Sequence, residues 1–471
     1  MNKQECAIKY VEDNYLQFNR LRHDIIADKL QVRCAHPIGD GLEAKGDRQE
    51  QWREMTKHDI NSIVCHAAQE YDANITSREV MTALQSDLIP DVHPLREYVL
   101  SCGEWTEEQP DWIDWVASQV HVRDSASSGV LISPEGSNDY SQANFQELRS
   151  SGVTSEQARS ATEPSEPLTS GSSADCLWRA CFKKWFVAMV ASWMKDEVVN
   201  HTVLVLVGRQ GIFKTTWLDK LIPPELRAYS SKLPLSGQIS KDDRLRLCEN
   251  GMLNIDELDA MCGREMNIVK SLLTSTDVNE RAAYGRLKER RVRLASFCAS
   301  TNKREFLTDI TGNRRWLPFE VESIQNPFHT IIPYERLYAQ AKALVEEGIF
   351  SYWFDMEEME VLEAHNEEFR ALENEEQLLP ILFDIPAEGK GEFMTTAEIS
   401  DKLVSYGGIK KPMSIRQLGM LLAKRGFQKK QVYLSGSNVR GWIVYKRQTD
   451  EIELLKKIDS HSATSQPTNL Y

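Results

Sequence analysis

The feature that most constrains the fold lies in residues 203–221. A short apolar run, Val203–Val207, leads into a loop with two glycines, a Lys-Thr-Thr sequence and a helical segment. Strand, glycine loop, lysine-threonine and helix, in this order, are the parts of a phosphate-binding P-loop. The backbone N–H groups of such a loop and the N-terminus of the helix direct positive dipoles at phosphate oxygens. The sequence therefore predicts an α/β core built around a nucleotide site.

Five residues of this segment are predicted to contact the nucleotide: Gly208, Gly211, Lys214, Thr215 and Thr216. The lysine would reach the β- and γ-phosphate oxygens, and the hydroxyl of Thr215 would hold magnesium. The expected cofactors are therefore ATP and Mg²⁺.

One position departs from the usual pattern, in which glycine precedes the lysine. Phe213 stands there, and phenylalanine resists the positive φ that glycine adopts freely. Gly211 is the alternative source of flexibility. The departure leaves open whether this site turns nucleotide over.

A second apolar strand, residues 252–255, ends in Asp256 and Glu257. This is the arrangement of a Walker B strand, in which Asp256 would bind magnesium through water and Glu257 would polarise the attacking water. The alternative, a surface turn after a strand, would be preferred if the glycine loop were absent.

A third strand, residues 292–300, is followed by Asn302, a polar side chain suited to sensing a γ-phosphate. Further on, Arg314 and Arg315 offer forked, permanently charged donors that suit the charge developing during phosphoryl transfer. Stacking of either arginine on Trp316 is the structural alternative. Together with Lys214 and Glu257, these residues form the predicted catalytic set of an ATPase.

Outside this core, no apolar run is long enough to span a membrane, and no secretory signal begins the chain. The nine cysteines include no CxxC pair, which argues against a zinc ribbon or a disulfide framework and predicts a cytoplasmic protein. His93-Pro94 indicates a helix start rather than a ligand site.

The predicted organisation is a helical N-terminal domain (1–122), a Ser-rich linker or insertion (123–174), the P-loop core (175–345), an acidic helical connector (346–390), a basic winged-helix-like domain (391–448) and a polar tail (449–471).

Two regions are predicted to contact nucleic acid, although the net charge of the chain is −14. The first is the basic stretch 280–294, whose arginines and lysines would follow phosphates while its tyrosine stacks on a base. A solvated charged loop is the alternative there. The second is residues 396–447, with eleven Lys/Arg against two acidic residues, in a helix–helix–hairpin pattern typical of a winged helix. A protein-docking winged helix is the alternative for it. The predicted contacts are Arg281, Tyr284, Arg286, Lys288, Arg416, Lys424, Lys429, Lys430 and Arg440.

Through residues 208–216, 254–257, 284–286, 300–302 and 309–316, the chain resembles the virulence-associated protein E family over about residues 175–345. These are proteins of phages and mobile islands whose core looks like a superfamily III helicase of the AAA+ class. The resemblance implies that Asn302 is the sensor and that Arg314 or Arg315 reaches a neighbouring subunit's site in a ring, for example a hexamer. It also implies a basic hairpin in the ring channel and a separate primase as a possible partner.

The function expected from the residues and the resemblance is an ATP-dependent DNA helicase or replication-initiation ATPase of a phage or mobile element, translocating on single-stranded DNA. Two alternatives stay open: a non-catalytic regulator that binds DNA under nucleotide control, and an AAA+ ATPase that remodels proteins. ATP turnover that is stimulated by DNA would distinguish the helicase or initiation ATPase from both alternatives.

Overall fold

The structure is a computed structural model, and it describes residues 1–35, 50–124, 173–233, 240–256, 258, 261, 263–280, 289–307, 313–348, 350–386, 391–434 and 437–448. Nearly all of the predicted Ser-rich linker and the predicted polar tail lie outside the described residues. The chain divides into two units, Met1–Asn302 with Trp316–Met356, and Lys303–Arg315 with Glu357–Tyr471.

A six-stranded sheet forms the centre of the first unit, in the order β5-β12-β6-β11-β8-β7. All neighbouring strands are parallel except β5, which runs antiparallel to β12. Central parallel strands are covered on both faces, which explains why β6, β8 and β11 are buried along their whole length. The strands are β5 (Val120–Val122), β6 (Val203–Val207), β7 (Ser230–Lys232), β8 (Met252–Ile255), β11 (Ser296–Thr301) and β12 (Trp316–Ile324).

Helices cover this sheet, and the longest of those described carries an aromatic core. Trp178, Trp185 and Trp193 are fully buried, and each indole N–H donates to a backbone carbonyl, at 2.9, 3.0 and 3.2 Å. Buried indole N–H groups need such partners, so these bonds fix the helix in register on the sheet. The helices are Ser173–Met194, Lys214–Asp219, Lys241–Glu249, Gly263–Thr274 and Tyr334–Glu347.

The first 122 residues are not mostly helical, which corrects the prediction. Those of them that the structure describes form five α-helices and a four-stranded sheet, in the order β3-β2-β1-β4. The strands were missed because they are polar in sequence: β1 reads LRHD and β3 reads EQWRE. The elements are Lys3–Val11, β1 (Leu21–Asp24), β2 (Lys29–Ala35), β3 (Glu50–Glu54), Lys57–Glu70, Ser77–Leu84, β4 (Asp91–Val92), Pro94–Ser101 and Trp112–Ala117.

Two polar side chains of this region, Asp24 and His93, accept hydrogen bonds that stabilise the chain around them. Asp24 is buried, and its carboxylate accepts the backbone N–H of Ile26 at 2.9 Å and the hydroxyl of Tyr229 at 2.7 Å. His93 begins the helix Pro94–Ser101 by accepting an N–H bond through its ring, as the His93-Pro94 pair predicts. Because β5 pairs with β12, the end of this region also belongs to the central sheet.

The second unit contains helices around a small antiparallel sheet. Strands β13, β16 and β14 are neighbours in that order, and β15 also pairs with β16. A capping box formed by Thr395 and Glu398 begins the helix Thr396–Gly407. The elements are Met356–Asn366, Asn374–Leu382, β13 (Phe383–Asp384), β14 (Glu392–Met394), Thr396–Gly407, Ile415–Lys424, β15 (Gln428–Leu434) and β16 (Ser437–Lys446).

No helix among the described residues has both the length and the apolar character that a membrane crossing requires.

Candidate functional site

The loop after β6 lies where the carboxyl ends of the parallel strands meet, the usual place for ligands in such sheets. The N–H of Gly208 donates to the carbonyl of Thr301 at 3.1 Å, which ties the start of the loop to β11. A Cβ at Gly208 would lie 2.7 Å from the carbonyl oxygen of Val321, so no other residue fits there. Gly211 has φ +86°, a left-handed conformation that glycine adopts without strain.

Phe213 also adopts a left-handed conformation, with φ +68° and ψ 16°. The position that usually holds glycine therefore keeps the glycine conformation in this chain, although a bulky side chain occupies it. The ring of Phe213 meets Phe328 edge to face, with centroids 6.2 Å apart. Such an aromatic contact stabilises the folded state by about 0.5–1.5 kcal/mol. It therefore offsets part of the backbone strain at Phe213.

Lys214 folds back onto the loop that precedes it. Its ammonium donates to the carbonyls of Gly208 and Arg209, both at 2.7 Å, and to Oδ1 of Asn302 at 3.1 Å. The loop thus curls around the positive charge of a buried lysine. Lys214 and Asn302, predicted as phosphate contact and sensor, follow the adjacent strands β6 and β11 and are in direct contact.

Asp256, at the end of β8, accepts hydrogen bonds from two hydroxyl groups. Thr215 donates to its Oδ1 at 3.2 Å and Ser300 donates to the same atom at 3.0 Å, while the two hydroxyls lie 3.1 Å apart. This cluster offers oxygen atoms, the ligands that Mg²⁺ prefers. The residues present therefore fit a magnesium ion held through Thr215 and Asp256.

The second carboxylate oxygen of Asp256 pairs with the ammonium of Lys232 at 2.6 Å. Burial acts to raise the pKa of Asp256, but hydrogen bonds from Lys232, Ser300 and Thr215 outweigh it and hold this pKa below its ordinary value. Asp256 is accordingly a carboxylate at neutral pH, ready to attract a cation.

Sequence reasoning did not assign roles to Ser300 and Lys232. Ser300 had a usable signal, because it lies two residues before Asn302 at the end of the same strand. Lys232 had none, since β7 is a three-residue edge strand of sequence SSK. Only the pairing of β7 with β8, which places Lys232 opposite Asn254, brings the lysine to Asp256.

Of the remaining predicted residues, Thr216 lies in the first turn of the helix Lys214–Asp219. Glu257 lies outside the described residues. Arg314 and Arg315 lie in a short 3₁₀ turn of the second unit, before Trp316. Trp316 itself is fully buried at the start of β12.

The predicted basic hairpin has two described strands, β9 (Asp277–Glu280) and β10 (Glu289–Val292), which pair antiparallel. The predicted contacts Arg281, Tyr284, Arg286 and Lys288 lie between them, outside the described residues. Among the other basic residues of this stretch, Arg290 is exposed and pairs with Asp277.

The predicted contacts of the second unit differ in their surroundings. Arg416, Lys430 and Arg440 are exposed. Lys429 holds its ammonium 5.2 Å from the ring of Trp442. Lys424 donates to a carboxylate oxygen of Glu367 at 2.6 Å, so part of its charge is already neutralised within the unit.

Comparison with known proteins adds a domain assignment to this geometry. Residues 164–371 match the virulence-associated protein E-like domain. The resemblance inferred from the loop and strand motifs is thereby confirmed, and the protein is a mixed α/β protein that carries a virulence-associated protein E-like domain.

Solved structures of the C-terminal region (305–718) of NrS-1 are similar to the chain. Its apo structure has a TM-score of 0.42 at 10% identity and covers 94% of this chain and 100% of that one. The A form of the apo region has a TM-score of 0.39 at 10% identity, covering 93% and 99%. A further A-form structure of the region has a TM-score of 0.38 at 11% identity, covering 91% and 98%. No curated protein matches the chain.

Proposed function

We propose that this protein is a P-loop ATPase of the AAA+ class, similar to superfamily III helicases, which acts on DNA in the replication of a phage or mobile element. The observation that carries the proposal is the convergence of Lys214, Thr215, Asp256 and Asn302 where β6, β8 and β11 end. These residues come from separate segments of the chain, and their meeting supplies a phosphate contact, a magnesium ligand pair and a sensor at one place.

In the proposed mechanism Lys214 exchanges the loop carbonyls for β- and γ-phosphate oxygens, while the glycine loop presents its N–H groups. Thr215 and Asp256 would hold Mg²⁺, which when bound would supply positive charge next to the phosphates. Asn302, already within reach of Lys214, would contact the γ-phosphate. Glu257 would accept a proton from the attacking water.

Arg314 or Arg315 would complete the site of a neighbouring subunit, so that hydrolysis takes place in a ring, such as a hexamer. An arginine supplied from another subunit stabilises the charge of the transferring phosphoryl group. Hydrolysis between subunits would then move the basic hairpins along single-stranded DNA. A separate primase is a possible partner of such a ring.

The second unit supports a DNA-binding role through its order of elements. A helix, the two short strands β13 and β14, two helices and a β-hairpin follow one another from Asn374–Leu382 to β16, and β14 and β15 both pair with β16. Apart from the additional strand β13, this order resembles that of a winged helix, a fold that commonly binds DNA, and it supports the proposal. Its exposed basic side chains would contact phosphates of single-stranded or origin DNA.

The test is the ATPase rate of the full chain with and without single-stranded DNA, beside Lys214→Ala and Glu257→Gln. We expect DNA to stimulate turnover in the wild type. Lys214→Ala should lose nucleotide binding, and Glu257→Gln should bind ATP but hydrolyse it at least about a hundredfold more slowly. Nucleotide-bound protein with no turnover, with or without DNA, would rule out a motor.

The left-handed conformation of Phe213 favours one second candidate, a regulator that binds DNA under nucleotide control without hydrolysis. A strained residue beside the phosphates could hold the loop in a state that binds nucleotide but does not progress. Nucleotide-dependent DNA affinity in the absence of turnover would support this function.

A further inference from the structure

The ion pair between Lys232 and Asp256 occupies the carboxylate that a magnesium ion needs. Oδ1 of Asp256 accepts from Thr215 and Ser300, and Oδ2 accepts from the ammonium of Lys232 at 2.6 Å. The ammonium group of Lys232 therefore already occupies the cation position at the Walker B aspartate.

The pairing of β7 with β8 positions Lys232 next to Asp256. Lys232 is the last residue of β7, which runs parallel to β8 and aligns Lys232 with Asn254, two residues before Asp256. The carbonyl of Lys232 also accepts a hydrogen bond from Arg246 at 2.9 Å. Its backbone is thus held by the sheet and by the neighbouring helix, while its side chain is 60% exposed and able to move.

We propose that Lys232 is a cation lock on Asp256, which magnesium must displace when the metal–nucleotide complex binds. This inference deepens the proposed function and rests on it. Two cations cannot share the free oxygen of one carboxylate without strong mutual repulsion. Lys232 therefore raises the magnesium concentration at which the site loads.

The exposure of the pair decides how strong this lock is. Ion pairs with a well-exposed partner shift equilibria only modestly, here by about two- to fivefold, because water screens the charges. The lock therefore raises the magnesium requirement without blocking the site.

The experiment titrates MgCl₂ into the full chain in the presence of a fluorescent ATP analogue and follows nucleotide binding. In Lys232→Met we expect the half-saturating magnesium concentration to fall about two- to fivefold. Lys232→Arg keeps a cation at this place and should stay close to the wild type. Lys241→Met removes the same charge from an exposed position at the start of a helix and should also match the wild type.

An unchanged magnesium requirement in Lys232→Met would overturn the lock. A higher requirement, or weaker nucleotide binding in EDTA, would overturn it as well, because Lys232 would then contact the nucleotide. If the wild type binds Mg-ATP normally in either case, the proposed nucleotide site survives. If the wild type binds no nucleotide at any magnesium concentration, the proposed function and the lock fail together.

Discussion

At the residue scale, the glycine loop after β6 shows how a departure from a sequence pattern can leave the backbone conformation unchanged. Phe213 keeps the left-handed conformation that glycine would have, and the sequence could not indicate this, because the conformation is imposed by the loop and the helix that begins at Lys214. A left-handed conformation costs a residue with a Cβ roughly 1–2 kcal/mol. The contact between the rings of Phe213 and Phe328 offsets part of this strain energy.

This strain predicts an unusual order of stability for two substitutions. Phe213→Ala loses the ring contact and keeps the strain, whereas Phe213→Gly loses the same contact and relieves it. We expect the glycine variant to be more stable than the alanine variant by about 1 kcal/mol in urea unfolding. Ile212, the preceding residue, is not among the positive-φ positions, so there the alanine variant should be the more stable one. The same order at both positions would contradict a strained Phe213.

At the scale of elements, what could be predicted from sequence depended on where apolar side chains are buried. β6 and β8 are apolar because both of their faces are covered, and both strands were predicted with the correct bounds. The third strand was predicted over residues 292–300, but β11 is Ser296–Thr301 and Val292 ends β10. The polar strands β1 and β3 carried no such signal. Lys232 reached the site only through a strand pairing, which no local pattern of residues expresses.

The basic stretch before β11 also could not be interpreted from sequence alone. Its arginines look alike in sequence but have different environments in the fold. Arg293 is fully buried, and its guanidinium donates to five backbone carbonyls. Three of these carbonyls, those of Leu272, Leu273 and Ser275, lie at the end of the helix Gly263–Thr274, where a cation is favourable. Burial lowers the pKa of Arg293 to about 9. This arginine therefore caps a helix and is not available to DNA.

We accordingly expect Arg293→Met to lower the free energy of unfolding by about 3 kcal/mol, since it leaves several buried carbonyls without a donor. Arg290→Met, three residues earlier, removes an exposed ion pair with Asp277 and should change stability by less than about 0.5 kcal/mol. Thermal or urea unfolding of both variants compares the same substitution in the two environments. Equal effects would show that Arg293 does not stabilise the helix end.

At the scale of the whole molecule, the net charge of −14 conceals a basic stretch, residues 396–447, with eleven Lys/Arg against two acidic residues. The rest of the chain is therefore more acidic than the average suggests, and contacts with nucleic acid should be local. Lys429 and Lys430 lie on β15 among exposed residues, whereas Lys424 is already paired with Glu367. Position on the fold, and not charge alone, separates these lysines.

The full chain carrying Lys429→Ala and Lys430→Ala together should bind DNA about tenfold more weakly at moderate salt, and about equally so for unrelated sequences. Each lost phosphate contact also removes about one counterion from the salt dependence, so the slope of log K against log salt should fall by about 2. Lys424→Ala should change affinity less, because Glu367 already holds its ammonium at 2.6 Å. Fluorescence anisotropy across a salt series measures both quantities. An unchanged affinity and slope in the double variant would instead favour a winged helix that docks protein, because its basic strand would then take no part in holding phosphate.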